Sequence, residues 1–239
     1  MEFNWDEIRE KEFPVFKNNI NLKAAGGSPM SKSAYDSGLR YFNDMLNQGD
    51  IHWDEYFKEL NCIREKIANY LNAKPSEIAF LINTSSCMNA IARLIRKGKI
   101  IYPEGEFPSS IHAFKRLGFN STKIKHRGYK YSLEDLERGI NKSTTCLIHS
   151  HIQYLTGFRQ DLEKLGLLCK KSNVISIINA TQSFGAFPID AKQCKINIIV
   201  ASALKWACCG YGIGILYISE EVMEKFELPF SSWLSVKDP

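Results

Sequence analysis

Short, almost wholly apolar runs alternate along this chain with longer stretches in which apolar residues recur at helical spacing. Six runs read as buried strands: 78–82, 99–102, 144–150, 174–178, 197–201 and 214–218. Each is four to seven residues long and keeps no polar face, as a strand covered on both sides does. The spacing of Phe57, Leu60, Ile63, Ile67, Tyr70 and Leu71 predicts a helix over 55–71. Further helices are expected at 31–47, with Ser31 as its cap, and at 86–97, 109–117, 132–140 and 160–171. Strands separated by helices predict an α/β fold with a mainly parallel sheet between two helical layers.

Three regions follow from this pattern. Residues 1–50 read as an N-terminal arm and helix, with I-N-L-K-A-A-G-G-S-P punctuated by Gly26, Gly27 and Pro29. Residues 51–225 hold the α/β domain. Residues 226–239, F-E-L-P-F-S-S-W-L-S-V-K-D-P, have apolar anchors but no closing element and read as the start of a connection.

Composition narrows the function classes. The 239 residues are 44% apolar and 24% charged, enough apolar surface for a sizeable core. Lys plus Arg is 31 and Asp plus Glu is 26, a net charge of +5 without a basic stripe. That gives nucleic acid little to bind. The apolar run 198–204 is interrupted by Ser202 and ended by Lys205, far short of a membrane span. The first residues, M-E-F-N-W-D-E-I-R-E-K-E-F, are charged throughout and unlike a secretory signal, so the cytoplasm is the expected compartment. The seven cysteines are irregularly spaced and lack C-x2–4-C pairs, which predicts reduced thiols packed mostly inside and no zinc site. His149 and His151 have metal-binding spacing, but no third ligand suggests itself.

Ligands of open α/β sheets bind at the C-terminal ends of the strands. Five predicted strand ends here carry polar or reactive residues. Asn83, Thr84, Ser85 and Ser86 open a helix, where they form either an anion site or an ordinary N-cap. Lys205 follows an apolar strand beside Trp206, either as a partly desolvated nucleophilic amine or as a snorkelling side chain. Asn179 and Gln182 lie at and just past a strand end, suited to bonding a heteroaromatic ligand or to closing a turn. Phe107 could stack on a planar ring or join the core.

Together these segments resemble the class V aminotransferase and cysteine desulfurase family, which has the type I fold of enzymes that bind pyridoxal 5′-phosphate (PLP). The resemblance rests on A-A-G-G-S-P (24–29), N-T-S-S-C-M-N-A-I (83–91), E-G-E-F-P-S-S (104–110) and S-H-I-Q-Y-L-T-G-F-R-Q-D-L (150–162). It is most specific in N-A-T-Q-S-F-G-A-F-P-I-D (179–190) and S-A-L-K-W-A-C-C-G-Y-G-I-G-I-L-Y (202–217). The last two look closer to the isopenicillin-epimerase-like branch than to the housekeeping desulfurases.

The resemblance implies a seven-stranded large domain and a homodimer acting on an amino acid by transferase, lyase or epimerase chemistry. It implies that Lys205 forms a Schiff base with the cofactor. Thr84, Ser85, Ser86 and Ser202 would hold its phosphate, Phe107 would stack on its ring, and Gln182 would bond the ring hydroxyl. Asn179 falls beside the ring nitrogen. Three features depart from the family pattern. Asn179 replaces an acid, and Leu204 replaces a histidine found in many members. The chain also ends where the family continues into a small C-terminal domain, which carries the substrate-binding arginine. The alternative is a truncated or degenerate paralogue that binds PLP weakly or not at all.

Overall fold

The computed structural model describes residues 3–227 and 231–236. Its elements run α1 (Trp5–Glu12), α2 (Lys32–Gln48), α3 (Trp53–Leu71), β1 (Ile78–Leu81), α4 (Thr84–Ile95), β2 (Lys99–Pro103), α5 (Pro108–Arg116) and β3 (Asn120–Ile124). Then come α6 (Leu133–Gly139), β4 (Thr144–Ser150), α7 (Leu162–Lys171), β5 (Ile175–Asn179), β6 (Ile198–Ser202), β7 (Gly214–Ile218) and α8 (Glu220–Lys225).

The seven strands form one sheet in the order β1-β7-β6-β5-β4-β2-β3. β7 runs antiparallel to both β1 and β6, and the other pairs are parallel. Alternate side chains feed two cores. On one face Ile101, Leu147, Ile178 and Ile199 meet Leu71 of α3, Leu136 of α6 and Leu165 of α7. On the other, Ile100, Ile148, Ile177 and Val200 meet Met88 and Ile91 of α4 and Phe114 of α5. The central strands have no polar face because both of their faces are covered. Among the described residues no helix is long and apolar enough to cross a membrane.

All six predicted strands are present within a residue or two at their ends. The seventh, β3, has no apolar run to predict it. Its sequence N-S-T-K-I lies on the sheet edge, and only Ile124 is buried. The arm also holds an unpredicted helix, α1, which is capped by the Asn4 side chain and buries no residue. α4 starts two residues before its predicted position because Asn83, not a serine, is the cap. Of the seven cysteines only Cys87, Cys146 and Cys169 are buried; Cys62 is exposed and the other three are half-buried. Interior packing therefore holds for fewer of them than the sequence suggested.

The long helix α2 buries no residue, and Leu39, Phe42 and Leu46 on it are exposed. Trp233 and Leu234 are also exposed. Of the connection expected over 226–239, residues 228–230 and 237–239 lie outside the described residues.

Candidate active site

The parallel strands β2, β4, β5 and β6 end at one rim, joined by the end of β1. Antiparallel β7 begins there, its Gly214 paired with both Leu81 and Ser202. The rim encloses a cleft of about 600 Å³. Seven of the eight residues singled out in the sequence line it: Thr84, Ser85, Phe107, Asn179, Gln182, Ser202 and Lys205. Ser86 does not; it faces a neighbouring groove with Asn89 and Arg93.

The floor of the cleft is the start of α4. Asn83 Oδ1 accepts from Ser86 N at 2.9 Å, so that amide already has a partner. The first two helical amides, Thr84 and Ser85, have no carbonyl one turn back to bond. They leave a partial positive charge at the cleft, which favours an anion. The Thr84 hydroxyl lies 2.9 Å from that of Thr181, while the Ser202 hydroxyl points to the Ile213 carbonyl at 3.5 Å.

Lys205 enters from the loop after β6. Burial lowers its pKa from the ordinary 10.5. No carboxylate pairs with it among the described residues. The amine is instead 5.9 Å from the centre of the Phe107 ring, which itself meets Tyr154 edge-on at 5.0 Å. This loop packs against Gly185 (φ +90°), where a β-carbon would lie 2.9 Å from the Trp206 carbonyl. A desolvated, unpaired amine spends more time uncharged and so is a better nucleophile.

Two other predicted residues have local partners. Gln182 donates to the Ala25 carbonyl at 2.9 Å and accepts from Trp206 Nε1 at 3.2 Å. It thereby ties the N-terminal arm to the Lys205 loop. Asn179 is buried; its Oδ1 accepts from Thr181 N at 3.0 Å and its Nδ2 donates to Ser110 Oγ at 3.0 Å.

Several lining residues were not singled out in the sequence: Lys23 and Ala25 from the arm, Ser109, Tyr154, Thr181 and Tyr211. Only A-A-G-G-S-P carried a signal for the arm. The histidine pair lies behind the rim. Both rings are buried, and His149 Nδ1 donates to the Ser150 carbonyl at 2.6 Å. Among the described residues no three His, Cys, Asp or Glu side chains are grouped to hold a metal.

The structure is thus a seven-stranded, mostly parallel α/β sheet with a half-buried lysine and a helix N-terminus at one rim. The description of the aminotransferase class V family matches residues 20–232, and the chain belongs to that family. The enzyme C-DES, whose fold matches with a TM-score of 0.84 at 17% identity, is described with glycine covalently linked to its PLP cofactor. The uncharacterized aminotransferase YcbU of Bacillus subtilis is 22% identical over 92% of this chain and 60% of its own length. A probable cysteine desulfurase of Pyrococcus abyssi is 30% identical over 73% of this chain and 46% of its own. The apo cysteine desulfurase of Thermococcus onnurineus has the same fold, with a TM-score of 0.84 at 23% identity, over 98% of this chain and 61% of that one. The chain thus spans about half to three fifths of the length of these relatives.

Proposed function

We propose that this chain is the PLP-binding large domain of an enzyme acting on an amino acid, with Lys205 as the residue that holds the cofactor. The observation that carries this reading is the half-buried, unpaired Lys205 amine beside the Phe107 ring, in a cleft floored by free helical amides. The cleft suits the group chemically. Thr84 and Ser85 amides offer donors for a phosphate, Phe107 offers a flat apolar face, and the buried Ser109 hydroxyl has no hydrogen-bond partner.

Thr84, Ser85 and the Ser202 hydroxyl would hold the phosphate, and Ser86 would contribute only through the helix dipole. Phe107 would stack on the ring, Asn179 would face the ring nitrogen, and Gln182 would reach the ring hydroxyl while keeping the arm in place. When bound, the cofactor supplies a carbonyl that takes an amino group and a ring that accepts electrons from the α-carbon. Lys205 would hold the cofactor and, with substrate bound, would serve as the base that moves the proton of the α-carbon. Transfer, lyase and epimerase chemistry all share this step. Family members act as homodimers, and a homodimer is proposed here too, as is an α/β domain spanning 51–225.

A second reading, a paralogue that binds PLP weakly, draws on Asn179. An amide carries no charge to hold a proton on the ring nitrogen. Borohydride reduction after incubation with PLP, followed by peptide mapping, separates the two. A pyridoxyl group on Lys205 is expected; a label elsewhere, or an unchanged spectrum in Lys205→Ala, overturns the assignment.

A further inference from the structure

Glu106 is a buried carboxylate, 7% exposed, with no cation paired to it among the described residues. Five donors converge on it. Its Oε2 accepts from Ser150 N at 2.7 Å and Gln153 Nε2 at 3.0 Å. Its Oε1 accepts from Phe107 N at 2.8 Å, from the Ser150 hydroxyl, and from the Ser110 hydroxyl at 3.3 Å. Every partner donates, which is the environment of an anion rather than of a neutral acid.

One of these donors leads to the cleft. With its proton on Glu106, Ser110 Oγ is left as an acceptor and takes Asn179 Nδ2 at 3.0 Å. The Thr181 amide fixes the other end of the same side chain through Oδ1. The Asn179 amide is thus held at both ends, at Oδ1 by the Thr181 amide and at Nδ2 by a Ser110 hydroxyl whose own proton goes to Glu106. A helix start, two strand ends and a turn meet here, and no sequence neighbour of Asn179 takes part apart from Thr181.

We propose that Glu106 is the positioning acid of this cleft, orienting Asn179 through Ser110 and placing behind it the negative charge that favours a protonated ring nitrogen. The statement about the ring rests on the PLP reading; the statement about Asn179 does not. A negative charge buried behind Asn179 favours the protonated form of such a nitrogen. The other titratable groups facing Glu106 are His149 on β4 and Tyr131 ahead of α6; Lys205 faces the cleft itself. Burial keeps His149 below its ordinary pKa, so it is neutral near pH 7 and adds no competing charge.

Two measurements test the proposal. In the cofactor-free chain, NMR exchange of the Asn179 side-chain amide is expected to show a protected proton. Glu106→Gln and Ser110→Ala should each cut that protection at least tenfold. In the chain loaded with PLP labelled with ¹⁵N in the ring, the ring ¹⁵N shift near neutral pH is expected to move toward the unprotonated value in Glu106→Gln. Should Glu106→Gln not fold, Ser110→Ala carries the amide measurement and Glu106→Asp the ring titration. Unchanged amide protection in a folded variant overturns the orienting role. An unchanged ring titration overturns the charge role. If the wild-type chain takes up no PLP, the functional reading falls, and the amide measurement still decides whether Glu106 positions Asn179.

Discussion

A β-carbon on Gly214 would lie 2.7–2.8 Å from the backbone N, Cα and C of Asn83. The first residue of β7 and the cap of α4 are thus in direct backbone contact, and only a glycine allows it. Gly214→Ala is expected to lower stability by about 1–3 kcal/mol and to push the helix start away from the cleft. Urea unfolding reads the first effect and phosphate affinity the second. Full stability with unchanged affinity would show that the contact relaxes freely.

Lys205 should be the most readily labelled lysine of the cleft below the ordinary pKa of 10.5. Pulse acylation across pH 7–10, read by mass spectrometry, checks this, and a midpoint at or above 10.5 refutes it. The sign for stability is opposite to that of a salt-bridged lysine. The folded state releases this proton first, so stability rises with pH between the folded and unfolded pKa values. Lys205→Met is expected to remove that rise and to stabilise the chain near pH 7.

His151 is buried, and its pKa is pulled down to about 4, first by burial and then by Arg159 and His149. An unfolded histidine takes a proton near 6.5. The stability linked to this residue is complete above pH 6.5 and is lost as pH falls through about 4. The drop is at most about 3 kcal/mol. Urea midpoints between pH 7 and 4 should fall less steeply in His151→Leu than in the wild type. Parallel slopes would mean that His151 protonates in the folded state without cost.

Asn179→Asp should destabilise the cofactor-free chain. An aspartate cannot donate to Ser110 Oγ, so it would compete with Glu106 for the single Ser110 proton, and two carboxylates would share one buried network. A loss of about 1–3 kcal/mol is expected, larger at pH 8 than at pH 5 because protonating one acid relieves the repulsion. In the loaded chain the same change should raise α-proton exchange several-fold. No change in exchange with any amino acid would mean that the amide suits the site.

Trp233 and Leu234, with Leu39, Phe42 and Leu46 of α2, are large apolar side chains exposed to solvent. The chain is expected to self-associate, and Trp233→Ser with Leu234→Ser to reduce this. Light scattering from a monomer at high concentration would contradict it. Phe230, grouped with these residues in the sequence, lies outside the described residues.

The central strands were legible because burial on two faces writes itself as unbroken apolar runs such as Ile198–Ser202. β3 was not, since an edge strand needs no such run. Cleft residues at strand ends were legible because polar residues there interrupt apolar sequence. Glu106 was not, because what distinguishes it is created by folding: Ser150 and Gln153 are 44 and 47 residues away. Gln182 likewise showed its amide in the sequence but not its bond to Ala25, 157 residues earlier.

The placement of β1 bears on how the chain is made. Leu81 pairs with Gly214, so 214 − 81 = 133 residues separate the partners. At a synthesis rate of about 5–20 residues per second, β1 leaves the ribosome roughly 7–27 s before the strand that receives it. During that interval I-A-F-L is an apolar ribbon without a neighbour, open to other nascent chains. One wall of the cleft and the protection of that ribbon both wait for β7 to be synthesised.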